Sequence, residues 1–125
     1  ADPEFGISAH VARIVLTVIK YDSEIRSTMN IRYSEEIIKV CKKAGFKVAS
    51  FSRDEEPDEV QEREGSSLVW GVSKVIKDCG YVPDMIYDKG GIGKEEMVRV
   101  LGKTATEVAD KVVRIDSGLK DKVKG

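Results

Sequence analysis

The stretch Asp88-Lys89-Gly90-Gly91-Ile92-Gly93-Lys94-Glu95-Glu96-Met97-Val98-Arg99-Val100-Leu101 decides between two folds. Three glycines and a lysine behind the apolar run Met85-Ile86-Tyr87 look like a phosphate cradle. A P-loop, however, needs G-x-x-x-x-G-K-[ST], so that backbone N–H groups wrap the phosphates and a hydroxyl holds Mg²⁺. Here the position five before Gly93 is Asp88, and Glu95 follows Lys94. A P-loop also opens a helix, whereas 97–101 alternates like a half-buried strand. The stretch therefore reads as a glycine-rich connection between two strands and not as an ATP site. Gly90, Gly91 and Gly93 are expected to supply positive φ or close backbone approach. Lys94 is expected to face a phosphate or to pair with Asp88.

Working outward, a helix over 67–78 is signalled by Leu68, Val72, Val75 and Ile76 and is ended by Gly80. Pro83-Asp84 then leads into a strand at 85–88. Downstream, Thr104 and Glu107 form a capping box for a helix that buries Val108, Ala109, Val112 and Val113. Upstream, a strand over 46–51 puts Phe46, Val48 and Ser50 on one face and Lys47, Ala49 and Phe51 on the other. A helix before it has Ser34 as N-cap, Glu35 and Glu36 in its first turn and Gly45 just past its end. A fourth strand lies around Ile31. The first helix carries Val11, Ile14, Val15, Val18 and Ile19 on one stripe, with Ser8 as N-cap. The nearly all-charged stretch 53–64 reads as a solvated loop and a short exposed helix.

Alternating strands and helices make the class α/β, with helices covering a mostly buried sheet. Four strands are few for such a domain, so further strands are expected before residue 1. The 125 residues fit one domain. Residues 1–6 lack an initiator Met and read as a tail left by a cloning vector; 7–125 form a single, N-terminally truncated domain. With 21 basic against 22 acidic residues, nothing draws the whole chain to nucleic acid or to a membrane, and any anion site must be local. Cys41 and Cys79 form no C-x-x-C pair, which suits a reducing cytoplasm and argues against metal or redox chemistry.

Candidate polar groups cluster at element ends, where α/β folds place ligands. They are His10 with Arg13; Arg26, Asn30 and Arg32; Arg53; Glu64 with Ser66 and Ser67; and Asp88 with Lys94. Most are cationic. Cations converging from separate loops would suit a phosphorylated small molecule, at about 1.5–3 kcal/mol per charge-assisted hydrogen bond. Against that stands the plain alternative that scattered arginines are surface groups and a single histidine near a helix start is a cap.

The blocks PEFGISAHVARIVL (3–16), KYDSEIRSTMNIRYSEE (20–36), FSRDEEP (51–57), EGSSLVWGV (64–72) and VPDMIYDKGGIGKEEMVRVLGK (82–103) together resemble the ThiN-type thiamine-phosphate synthase domain. The likeness runs from about 3 to 115, and on it Pro3 to Gly6 correspond to a family PEFG rather than to a vector. It implies a three-layer α/β/α sandwich around a mixed sheet, similar to the AraD-like aldolase/epimerase fold. It also implies coupling of hydroxymethylpyrimidine diphosphate with hydroxyethylthiazole phosphate, with Mg²⁺ accompanying the diphosphate and His10 as the catalytic residue. Arg13, Asn30, Arg32, Arg53, Ser66, Ser67, Asp88 and Lys94 would bind the substrates, and no protein metal site is implied. A second functional arginine of the family falls before residue 1, which puts turnover by this chain alone in question. Ile7, Ala9 and Glu96 depart from the family pattern. Such domains occur, mostly in archaea, behind a hydroxymethylpyrimidine kinase or behind a helix-turn-helix. The chain is thus a cytoplasmic synthase domain or a non-catalytic thiamine-phosphate-sensing domain of a regulator, with a homodimer in keeping with either.

Overall fold

A computed structural model describes residues 3–58, 66–91 and 93–124, with side chains for 11–58, 67–91 and 93–121. The elements are α1 (Pro3–Ile19), β1 (Ser27–Ile31), α2 (Glu35–Lys43), β2 (Val48–Ser50), a 3₁₀ turn (Arg53–Glu55), α3 (Ser66–Cys79), β3 (Met85–Asp88), β4 (Met97–Gly102) and α4 (Ala105–Lys124). Local chemistry sets most boundaries. Ser34 is extended and its hydroxyl accepts the Ile37 N–H at 3.1 Å, starting α2. Gly45, at φ +90°, takes the left-handed turn that stops it. Thr104 caps α4 as expected, its hydroxyl accepting the Glu107 N–H at 3.1 Å, while the Glu107 carboxylate accepts the Lys103 N–H, one residue before the cap.

The strands form one mixed sheet in the order β1-β4-β3-β2. β2 and β3 are parallel, while β3–β4 and β1–β4 are antiparallel. Parallel neighbours need a crossover, which α3 supplies, and the glycine connection serves the antiparallel pair. Helices cover both faces. Ile14 and Val18 of α1 meet Val72, Val75 and Ile76 of α3 over Phe51, Ile86 and Leu101. On the other face Ile38, Val40 and Cys41 of α2 join Val108 and Ile115 of α4 over Met85, Val98 and Val100. This is the expected α/β/α sandwich; β2 is shorter than the expected 46–51, but the chain through it shows the predicted split of Phe46 and Val48 from Ala49 and Phe51. Among the described residues no helix is long and apolar enough to cross a membrane.

Three expectations are corrected. First, α1 begins at Pro3, not after Ser8; proline is tolerated in a first turn because its missing N–H would be unpaired there anyway. His10 therefore lies in the middle of α1 and not at its positive end. Second, β4 is covered on both faces: Val98, Arg99, Val100 and Leu101 are all buried. Third, α4 buries Val108, Val112, Ile115 and Leu119, whereas Ala109 is exposed and Val113 is 61% exposed. Gly102 explains the register, since a Cβ there would crowd Val108. Lys111 takes an inner position, donating to the Leu101 carbonyl and pairing with Asp84 at 2.9 Å.

Two outcomes follow. Gly71 of α3 faces the Phe51 ring so closely that a methyl group would overlap it. Gly71→Ala should cost about 1–3 kcal/mol by overpacking, outweighing a helix-propensity gain of up to about 1 kcal/mol; an unchanged urea midpoint would show that the ring can yield. Burial pushes the Cys41 thiol from 9.0 up to about 11. The unfolded chain then loses this proton first, so stability should fall as pH rises from about 9 to 11, by at most roughly 2.5 kcal/mol. A Cys41→Ala variant with the same loss would assign it to other groups.

Candidate functional site

In α/β sheets ligands gather outside the carboxyl ends of parallel strands, and here those ends belong to β2 and β3. Alternation along β3 turns Met85 and Tyr87 toward α2 and α4, and Ile86 and Asp88 toward α1 and α3. Asp88 is wholly buried. Three donors meet its two oxygens: Arg99 Nη1 at 2.6 Å on Oδ1, and Arg53 Nε at 2.9 Å and the Gly90 N–H at 3.0 Å on Oδ2. Register explains the first contact. Asp88 stands opposite Met97, so Arg99, two residues on, is its diagonal neighbour on the same face. Arg53 arrives from β2 by way of Ser52, whose hydroxyl caps the 3₁₀ turn by accepting the Asp54 N–H.

Two guanidiniums against one carboxylate leave the cluster with a net positive charge. Burial holds the Arg99 pKa below its ordinary value; Asp88 opposes that effect and the Arg53 charge adds to it. The Phe51 ring lies under both cations, with its centroid 5.3 Å from the Arg53 guanidinium carbon and 5.6 Å from that of Arg99. Trp70 of α3 meets the same ring edge-on at 6.2 Å. Arg99 Nε is buried with no partner among the described residues. Arg53 uses only its Nε on Asp88, and it lines a cavity of about 460 Å³ together with Ser52, Lys74, Tyr87, Lys89 and Gly90. Lys74 is itself tied to Asp78, whose hydrogen bond and charge raise its pKa. The arrangement can bind an anion of moderate size.

Of the residues singled out in the sequence, the structure brings Arg53 and Asp88 together and places Lys94 and Ser67 beside them. Lys94 does not pair with Asp88. Its Nζ donates to Ser67 Oγ at 2.7 Å and lies 3.6 Å from Glu56, while the Ser67 hydroxyl donates to Glu56. The glycine connection causes this: Gly90 and Gly93 have φ of +76° and +70°, a turn that carries Lys94 past Asp88 toward α3. The stretch 53–58 is likewise more than a solvated loop, because Arg53 and Glu56 turn inward. Asn30 is exposed and sits across from Arg99 in the β1–β4 register. Arg13 and Arg32 are exposed and make no ion pair among the described residues. Arg26 is spent on the Ser23 carbonyl. The side chains of His10 and Ser66, and all of Glu64, lie outside the described residues.

Sequence reasoning missed Arg99 and Glu56. Arg99 carried a usable signal, a lone charge at the centre of an otherwise apolar strand; Glu56 carried none. Among the described residues no three His, Cys, Asp or Glu side chains gather as a metal site. Both Asp88 oxygens are taken by donors and the Glu56 carboxylate faces Ser67 and Lys94, so these residues do not fit a resident Mg²⁺.

Asp88→Asn should destabilise the fold by about 3–5 kcal/mol, the usual result of leaving buried charges without their partner. Urea denaturation measures it; a loss below about 1 kcal/mol would mean that the arginines find other acceptors.

Comparison with known proteins agrees with this fold. The sequence model of the family described as thiamine-phosphate synthase ThiN matches residues 1–114. Thiamine-phosphate synthase ThiN of Methanothermobacter thermautotrophicus is 40% identical over 114 residues, covering 91% of this chain and 60% of that protein. The bifunctional thiamine biosynthesis protein ThiDN of Methanocaldococcus jannaschii is 49% identical over 111 residues, covering 89% of this chain and 25% of that protein. The chain thus spans less than two thirds of either relative. The crystal structure of the C-terminal domain of a phosphomethylpyrimidine kinase superposes with a TM-score of 0.78 at 42% identity, over 85% of this chain and 60% of that one. A second C-terminal domain gives 0.80 at 45% identity, over 90% and 59%. A match over 114 of 125 residues, on the same mixed sheet, means that the chain belongs to the thiamine-phosphate synthase ThiN family.

Proposed function

We propose that the domain is the synthase part of a longer enzyme that couples hydroxymethylpyrimidine diphosphate to hydroxyethylthiazole phosphate. The bond from the pyrimidine methylene carbon to the diphosphate oxygen breaks, and its electron pair leaves with pyrophosphate. The lone pair of the thiazole nitrogen then forms the new C–N bond, giving thiamine phosphate. Such a reaction asks for cations where charge grows on the leaving group and needs no protein nucleophile. The observation that carries the reading is the Arg53–Asp88–Arg99 cluster, net positive, with Arg53 lining the cavity at the ends of β2 and β3. Mg²⁺ enters in this reading as the counter-ion of the diphosphate, as part of the substrate.

Arg53 is the anion ligand of this site and Asp88 its anchor; Ser67 and Lys94, in contact beside the start of α3, bind substrate with Ser66 in the same reading. Arg13, Asn30 and Arg32 approach from the α1 and β1 side, and His10 acts on the diphosphate. A cytoplasmic setting, an archaeal source, an upstream kinase domain and self-association into a dimer belong to the same reading. The second reading, a domain that binds thiamine phosphate for a regulator, draws on the fact that the cluster holds cations and no acid–base pair. It would bind the same phosphate without turning it over.

Turnover of both substrates by the intact protein separates the two. The synthase reading expects thiamine phosphate to form. It expects Arg53→Gln to lower kcat/KM about ten- to a hundredfold, the worth of one charge-assisted hydrogen bond. His10→Ala should lower kcat by roughly 10²–10⁴ with a stability change under about 1 kcal/mol. Thiamine phosphate binding without turnover would favour the sensor, and neither binding nor turnover would remove both readings.

A further inference from the structure

Arg99 is the unexplained charge of the fold. It sits in the central strand β4, 4% exposed, with apolar Val98 and Val100 on either side of it in sequence. It does not line the cavity, so it is not itself a ligand-binding group there. Among the described residues its side chain has one polar contact, Nη1 on Asp88 Oδ1 at 2.6 Å, and its Nε is buried without a partner. A group of this kind is costly to bury, and an ordinary apolar residue would serve a central strand better. What it does can be read from the other end of the chain of contacts. Arg99 holds Oδ1, while Arg53 Nε and the Gly90 N–H share Oδ2.

We infer that Arg99 is a positioning residue, which acts through Asp88 to fix Arg53 and keep its guanidinium available to a phosphorylated ligand. The inference rests on the anion-site reading given under the proposed function. Two effects combine. Geometrically, Arg99 pins the carboxylate so that Oδ2 faces the exit of β2, where Arg53 and Gly90 meet it. Electrostatically, it shares the Asp88 charge, so Arg53 is less fully neutralised by its own partner and keeps more attraction for an incoming anion. The Phe51 ring backs both guanidiniums and offsets part of their mutual repulsion. Without Arg99 the whole carboxylate charge would fall on Arg53, which would turn from the cavity and bind both oxygens.

The test uses inorganic pyrophosphate as the probe, titrated calorimetrically into the folded protein at fixed salt, with the Nε–H resonance of Arg53 followed by NMR. Arg99→Met should weaken pyrophosphate binding about tenfold, the lower end of what supporting partners of a ligand shell contribute, and should move the Arg53 Nε–H signal. Arg99→Lys should restore most of the affinity. The Arg53→Gln variant should lose more, and adding Arg99→Met to it should cost nothing further, since Arg99 acts only through Arg53. Should Arg99→Met fail to fold, Arg99→Gln, which keeps a donor for Asp88 without the charge, takes its place in the same cycle with the same expected losses. Wild-type affinity in the folded Arg99 variant, or additive losses in the double variant, would overturn the inference while leaving the anion site standing. No pyrophosphate binding by the wild type would overturn the site reading and this inference together.

Discussion

The fold turns on a single buried carboxylate. Asp88 joins the exit of β2, the end of β3 and the middle of β4, because its two oxygens take a donor from each of Arg53 and Arg99 and a third from the backbone of Gly90. The core around it on that face is mostly apolar. A buried ion pair of this kind contributes little net stability against a well-packed apolar substitute, although breaking it is expensive. Stability is therefore a poor reason for its presence. Its position at the ends of the two parallel strands, under an aromatic ring and beside an open cavity, is a better one.

Lys94 shows how the same geometry disposes of the nucleotide reading. In a phosphate cradle the lysine and the backbone amides converge on one anion. Here the two left-handed glycines send the lysine across to α3, where it meets Ser67 and the carboxylate of Glu56, while the Gly90 amide is used on Asp88. The connection thus ties three elements together from inside, and its glycines serve the turn itself.

What the sequence revealed and what it concealed divide by range. Caps and turn glycines are local, so Ser34, Thr104, Gly45 and Gly80 could be placed by inspection. The α/β class followed from two-residue and four-residue periodicities, whereas the three-layer sandwich and its mixed sheet came with the resemblance. The resemblance supplied the family. Arg99 was misread because alternation in 97–101 assigns a lone charge to a solvent face, and only the packing of α1 and α3 over that face makes it an interior one. Val113 failed for a similar reason: adjacent valines at 112 and 113 cannot both face the sheet, and Lys111 and Gly102 decide which does. The partner of Lys94 was hidden because it depends on Glu56, a residue inside a charged run that looks uniformly solvated. Binding arginines on different elements can be listed from a sequence, but their convergence is a tertiary fact.

The strand order also bears on how the chain acquires its shape. β1 has one neighbour in the sheet, β4, and Ser27 pairs with Gly102 while Ile31 pairs with Val98. During synthesis β1 must therefore wait for its partner until almost the whole domain has emerged. The β2–α3–β3–β4 segment, whose pairings are closer in sequence, can assemble first, with Arg53, Asp88 and Arg99 already in reach of one another. Closing a long loop to add β1 comes late and slowly. Until it does, the free edge of β4 is the surface on which a nascent chain is most prone to pair with the wrong strand.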